Sequence, residues 1–464
     1  MIDETDTIVD RAVRGAYIPR GFTIELRDPG FEPPQHGRLV FSSKLFPTFM
    51  HEFSHLVQDR GTFRGVMSFL DLWDQISAVA NHCGLSGPEV LRPIIEIDGR
   101  RHRLPADQIW ARELDRLRAI TEPRIDWTDD DRFWAFDGQR IHVHEETLSG
   151  RQIEFPYVYL DWVDNVTGEL YSHPIGGWEI REAYAEAVGQ LHGAKLKQPG
   201  RSGFEYLAIE RLLAYHFGNV LPQQAIALCH WALQDLSPPV CLLRLIDKCL
   251  SEGWHRLPAA EEIYELGRRD ALEFDFERNV LEIVNGTLPE VERRHAECGN
   301  EAVASLFRWF REHAESLLIK HLDRSRRFPL DTFLCQDSKN LSAGARDEAL
   351  RQLFREVQVP LIFYPDGSTY AINATQEDTT VVYLNRCALR LFEWVWKSKA
   401  EHLRCPIHAS CNLDMKDDHD CLTNPWMKNR LPQVCAFAAA TKVLGLRTDQ
   451  AFRFEPFPIA IRNS

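Results

Sequence analysis

Apolar residues recur at helical spacing between positions 45 and 60, where Phe46, Phe49, Met50, Phe53, Leu56 and Val57 fall on one face. Pro47 suits a first turn, in which its missing N–H is no loss, and Gly61 can end the segment. The pattern predicts an amphipathic helix over 45–60. From 203 to about 324 the pattern is helical throughout, with Val303, Leu306, Phe307, Phe310, Ala314, Leu317 and Leu318 on one apolar face. Elsewhere, short apolar and aromatic runs bounded by turn residues predict hairpins. Segments 94–97 and 101–104 flank Asp98-Gly99, 134–136 and 141–143 flank Asp137-Gly138, 157–163 faces 169–172, and 359–364 faces 369–372. A further helix is expected around 389–400.

These elements make an α+β chain. Its 464 residues are enough for two or three domains. The basic, turn-rich stretch 195–202 marks a first boundary. The order predicts a mixed region over 1–200, a mostly helical region over 201–330, and a small mixed region over 331–464 that holds a Cys/His cluster.

Charge and composition narrow the function. The 68 Asp and Glu outnumber the 54 Lys and Arg, and a net charge of -14 disfavours a general phosphate-binding surface. Nucleic acid is therefore not an expected partner. No stretch approaches the ~20 apolar residues of a membrane span, and the first residues lack the basic and apolar parts of a secretory signal. The expectation is a cytoplasmic protein without a membrane partner. Its 11 cysteines then point to reduced thiols or metal ligands and not to a disulfide framework.

The polar side of the helix at 45–60 carries His51-Glu52-Phe53-Ser54-His55. Histidines four apart project together and can hold one metal ion, with Glu52 beside the open coordination position. Zinc lowers the pKa of a bound water toward ~7, and Glu52 could take its proton and deliver it to a leaving group. The structural alternative is two surface histidines on an ordinary helix. A third ligand of the metzincin kind would need Gly at 58 and His at 61, but the chain has Gln58 and Gly61. The ligand must come from farther away.

The segment Glu179-Ile180-Arg181-Glu182-Ala183-Tyr184-Ala185-Glu186 follows the third hairpin. Glu182 and Glu186 are one helical turn apart, so one could bind zinc while the other holds a zinc histidine; Glu179 is a further alternative. Ala183 and Ala187 are small enough for close helix approach. Here the chain resembles the gluzincin metallopeptidases, whose third ligand is a helical glutamate, often in a Glu-(Gly/Ala)-aromatic-Ala context, with a carboxylate four residues later. The resemblance rests on two short helices separated by 127 positions. It implies His51, His55 and Glu182 as ligands, Glu52 as the base and Glu186 behind a ligand histidine. It also implies a zincin-like catalytic domain over 1–200 with an insertion at about 67–155 that carries the first two hairpins. The third hairpin would be its substrate-aligning strand. Tyr171, His173, Tyr184 and His192 are candidates for the oxyanion donor.

A second cluster, Cys405, Cys411, Cys421 and Cys435 with His402, His408 and His419, could hold a structural zinc tetrahedrally. Cys229, Cys241 and Cys249 lie in apolar helical runs and read as core. The reading reached is a zinc-dependent metallopeptidase, a selective endopeptidase for a protein or peptide substrate, with a regulatory partner able to use the helical region. Its rivals are a zinc hydrolase of a non-peptide amide or ester, and a non-catalytic zinc-binding scaffold.

Overall fold

The computed structural model describes residues 15–31, 41–42, 44–84, 94–97, 100–103, 134–148, 151–194, 204–357, 361–365, 368–370, 376–397, 405–408, 411, 421, 435–443 and 452–455. The expected boundary at 195–202, the Asp98-Gly99 turn, His402 and His419 lie outside these.

Helix α1, Phe46–Gly61, buries all six apolar residues of the expected face and has Pro47 in its first turn. It ends where Thr62 turns extended and gives both its backbone N–H and its hydroxyl to the Gln58 carbonyl. Helix α2, Phe63–Gly84, follows at once. Gly65 makes the sharp junction feasible, because a Cβ there would lie 2.3 Å from the Gln58 carbonyl oxygen. Helix α2 was not expected, although Phe63, Val66, Met67, Leu70 and Trp73 fall on one helical face, and it is buried on nearly every side from Phe63 to Ile76.

Strands β1 (Gly15–Ile18) and β2 (Thr23–Leu26) form an antiparallel hairpin against α1. The sheet continues through β8 (Leu361–Phe363) and β9 (Thr369–Tyr370), in the order β1-β2-β8-β9. The β8–β9 pairing is the expected one. The parallel pairing of β2 with β8, Thr23↔Leu361 to Glu25↔Phe363, is not, and it puts segments more than 300 positions apart in one sheet. A second sheet has the order β10-β3-β4, with β3 (Ile94–Ile97) and β4 (Arg100–Arg103) paired as expected and β10 (Phe452–Glu455) added.

The third sheet corrects one expected turn. Strand β5 runs unbroken over Trp134–Leu148 and pairs along its length with β6, Arg151–Asp164. Asp137-Gly138 is a bulge between Phe136 and Gly138, not a hairpin turn, because the long partner strand keeps both flanks in one ladder. Strand β7, Leu170–Ile175, completes the expected third hairpin, with Trp162 opposite Tyr171.

Helix α3, Gly177–Leu191, follows β7. Then come α4 (Phe204–Phe217), α5 (Pro222–Ala232), α6 (Pro238–Ser251), α7 (Ala260–Glu273), α8 (Phe276–Glu282), α9 (Leu288–Glu297) and α10 (Glu301–Leu322). The predicted stripe of α10 is buried throughout, and its His321 Nε2 lies 2.7 Å from the Gly61 carbonyl, fastening the end of α1. Helices α11 (Ala343–Val357), α12 (Gln376–Lys397) and α13 (Ala436–Val443) complete the helical part. The start of α12 precedes the expected one because Val381, Val382, Leu384 and Cys387 are already buried. The chain is α+β, helix-rich with small sheets, and its apolar core is continuous from Tyr17 to Val443. Among the described residues no helix is long and apolar enough to cross a membrane.

Candidate metal centre

Helix α3 packs on α1, and Gly189 lies against it, where a Cβ would stand 3.7 Å from the Pro47 carbonyl oxygen and 3.8 Å from His51 Cβ. The expected spacers, Ala183 and Ala187, instead line a cavity toward α4 and α5. Glu179 caps α3, accepting the Gly176 N–H at 2.8 Å, and its other oxygen lies 3.4 Å from His173 Nε2. Glu179 is thus engaged at the helix start. One turn on, Glu182 faces α1.

Glu182 Oε2 stands 3.5 Å from His51 Nε2, and Oε1 stands 3.4 Å from His55 Nε2. These three residues bring ligand atoms within 4.8 Å of one another, the only such group among the described residues. Two ligand atoms on one tetrahedral zinc are about 3.4 Å apart, given bonds of ~2.1 Å. The donor set suits zinc, and the two histidine–carboxylate distances match that spacing. Burial lowers the His51 imidazole, but the hydrogen bond to Glu182 and the fields of Glu52, Glu182 and Glu186 override it and raise its pKa to about 9. Burial pushes Glu182 up, and the two histidines more than offset it, holding the carboxyl well below its ordinary range.

Each imidazole also has an outer acceptor. His51 Nδ1 lies 3.8 Å from Glu186 Oε2, and His55 Nδ1 lies 3.2 Å from Gln58 Oε1. Such partners fix which ring nitrogen faces the metal. The sequence reading missed Gln58, although its place three residues after His55 on the same helix was a usable signal. The Gln58 amide donates to the Arg181 carbonyl at 3.0 Å, and Arg181 Nε donates to Gln58 Oε1 at 3.3 Å. Arg181 also forms a buried ion pair with Asp59, whose other oxygen accepts the Tyr17 hydroxyl and the Arg20 N–H, each at 2.8 Å. Burial raises the Asp59 carboxyl despite these partners.

Glu52 is held from the opposite side, where the Tyr17 N–H donates to its Oε2 at 2.7 Å. The Tyr17 ring lies 6.1 Å from the His55 ring, and Trp178 stacks nearly parallel to His55 at 6.4 Å. Three of the four expected oxyanion donors are committed to the interior. His173 is buried against Glu179, Tyr184 is buried with its hydroxyl pKa raised by burial, and His192 lies 2.6 Å from Ser338 Oγ and 3.1 Å from the Leu334 carbonyl. Only Tyr171 is part-exposed.

The second cluster is looser. Cys405 donates its N–H to the Cys421 carbonyl at 3.4 Å, and Cys411 donates to the His408 carbonyl at 3.3 Å. A thiol–thiol hydrogen bond with Cys387, buried on α12, lowers the Cys405 pKa, while burial raises Cys387. Cys387 was missed because it sits within the apolar face of a helix. The thiols of this cluster do not reach the convergence seen at His51, His55 and Glu182. Cys229, Cys241 and Cys249 are core residues, as expected. Compared with models of known families, with curated proteins and with solved structures, the chain matches none.

Proposed function

We propose that this chain is a zinc-dependent metallopeptidase, a selective endopeptidase of gluzincin-like design with a zincin-like catalytic region. The observation that carries the reading is the meeting of His51, His55 and Glu182 within 4.8 Å beside Glu52. Zinc bound there would polarise the scissile carbonyl and lower the pKa of a water toward ~7. Glu52 accepts the proton of the attacking water and passes it to the departing nitrogen. The Tyr17 amide fixes one oxygen of that carboxylate, so the base does not have to be ordered at the moment of reaction. A purely structural site has no need of a base in this position.

Among the described residues strand β1 ends its sheet, and it carries the Tyr17 amide that reaches Glu52. An extended peptide pairing with β1 would lie beside the base. We therefore assign substrate alignment to β1 in place of the third hairpin. The helical region is the proposed surface for a regulatory protein partner, and the cysteine group the proposed seat of a second, structural zinc. The protein would work in the cytoplasm, where thiols stay reduced.

The test is metal content together with cleavage of a proteome extract, for the parent protein and for Glu52→Gln. Both should carry zinc at His51, His55 and Glu182, and only the parent should cut. Equal cutting by the variant would sink the reading. Zinc with turnover of esters or non-peptide amides alone would favour the other hydrolase, and zinc without turnover the scaffold.

A further inference from the structure

The turn between β1 and β2 is strained. Arg20 and Phe22 both hold left-handed backbone angles, φ 60° and 51°, which residues with side chains rarely adopt. Such a conformation persists only where its surroundings over-determine it, and it clusters at functional sites. Here α1 and α12 grip the same residue. Asp59 of α1 accepts the Arg20 N–H at 2.8 Å, and the Asn385 amide of α12, 365 positions away, donates to the Arg20 carbonyl at 2.7 Å. Asn385 is buried, and its oxygen accepts the Trp73 indole N–H at 3.1 Å. The indole can only donate and the carbonyl can only accept, so the amide has one orientation. Phe22 is buried among Phe69 of α2 and Trp309 and Phe310 of α10. Arg386, next to Asn385, donates to Thr23 Oγ1 at 2.6 Å and pairs with Glu25.

The hairpin held in this way carries Tyr17, three residues before Arg20, which gives its N–H to Glu52 at 2.7 Å. We propose that Asn385 is a positioning residue for the base: from α12 it holds the strained turn closed and so keeps the Tyr17 amide on Glu52. The inference rests on the peptidase reading and extends the catalytic unit from the first 200 residues to α12. Without the Asn385 donor, Arg20 relaxes to an ordinary φ and the turn opens. Strand β1 is only four residues long, so it moves with the turn. Glu52 then loses its donor, while His51, His55 and Glu182 keep their places on α1 and α3. The damage falls on the base and spares the metal.

Two variants test this in zinc-loaded protein. Asn385→Asp keeps the shape and the acceptor for Trp73 but loses the donor, and Asn385→Ala loses both; if the alanine variant does not fold, the aspartate variant carries the test. Each is combined with Arg20→Gly, because glycine takes a positive φ without strain and the turn then no longer depends on Asn385. The Tyr17 amide is followed in protein with isotope-labelled tyrosine, its signal being the one missing in Tyr17→Phe. Its hydrogen exchange should speed up at least about tenfold in the single variants and return most of the way in the doubles. On a peptide identified from extract cleavage, kcat should fall at least about tenfold with KM and zinc affinity unchanged, and Arg20→Gly should again restore it. A role in packing alone predicts neither the split between kcat and zinc affinity nor rescue by a glycine on another element. Unchanged Tyr17 exchange in the single variants overturns the proposal, and so does a loss that Arg20→Gly does not restore. The exchange arm needs no turnover, so a parent that cuts nothing sinks the peptidase reading alone, and Tyr17 exchange still decides whether Asn385 holds the amide on Glu52.

Discussion

Arg181 and Asp59 form an ion pair buried on both sides, and it joins the residue before Glu182 to the residue four beyond His55. The pair fixes how α3 lies on α1, and so how a carboxylate 127 positions downstream meets two histidines. The Gln58 amide on the Arg181 carbonyl adds a second tie at the same level.

Breaking this tie should be costly although the tie itself contributes little. Burial raises the Asp59 carboxyl even with Arg181 beside it, so ionisation there is not strongly favoured by folding. Removing one partner of a buried pair typically costs about 3–5 kcal/mol, whereas replacing both by apolar groups is often near neutral. Arg181→Met should therefore destabilise the protein by roughly that amount, and Arg181→Met with Asp59→Asn, whose amide oxygen still accepts from Tyr17 and Arg20, should recover much of it. Urea unfolding of the metal-free proteins measures both. A loss below about 1 kcal/mol in the single variant would show that the pair is not what holds the helices.

Gln58 should matter for the metal more than its neutral side chain suggests. It is the acceptor 3.2 Å from His55 Nδ1, and the loss of such a partner typically weakens metal affinity about 10–100-fold. Gln58→Ala should show that weakening in a chelator competition, and Gln58→Glu, which keeps an acceptor, should restore most of it. Glu186→Ala should do less, because its oxygen is 3.8 Å from His51 Nδ1. Unchanged affinity in Gln58→Ala would mean that packing alone orients the His55 ring.

The thiols around α12 should react in a definite order. The hydrogen bond from Cys387 lowers the Cys405 pKa, while burial raises those of Cys387 and Cys435. Thiolate is the reactive form, so limiting iodoacetamide at pH 7.5 should label Cys405 ahead of the other two. Peptide mass spectrometry reads the order, and protection of Cys405 by added zinc would support a metal role. Labelling of Cys387 first would show that the hydrogen bond runs the other way.

The chemistry of the site was more legible than its support. His51, Glu52 and His55 lie on one short helix whose apolar stripe sets their direction, so local spacing was enough. Glu182 could be named only through a resemblance, because no local rule connects α3 to α1. Tyr17, Asp59 and Arg181 form their contacts across 35 to 123 positions and carry no periodic signal, unlike Gln58, which lies three residues from His55. The same limit explains the unexpected β2–β8 pairing. It also explains why Asp137-Gly138 read as a turn, since only the length of β6 decides that the ladder runs on.

Stability against pH should expose the His51–Glu182 contact in the metal-free protein. The His51 pKa is raised from 6.5 to about 9, so the folded state holds that proton more tightly than the unfolded chain. Its contribution is fully present below pH 6.5 and is lost as pH rises through about 9. Glu182 shifts the other way, so its contribution is present above its unfolded pKa of 4.5 and fades as pH falls below that toward its lower folded value. With excess chelator, this contact therefore stabilises most between about pH 4.5 and 6.5, and the melting temperature should fall from pH 6.5 to 9. Zinc needs the neutral imidazole, so it competes with that proton. With saturating zinc the fall should vanish, and zinc binding at pH 7.5 should release close to one more proton than at pH 10. Glu182→Ala removes the hydrogen bond that does most to raise His51, so its chelated form should lose much of the decline. Thermal melts across this range, with calorimetry in two buffers of different ionisation heat, measure both quantities. A chelated parent that melts at the same temperature at pH 6.5 and 9 would mean that His51 and Glu182 do not share a proton in solution.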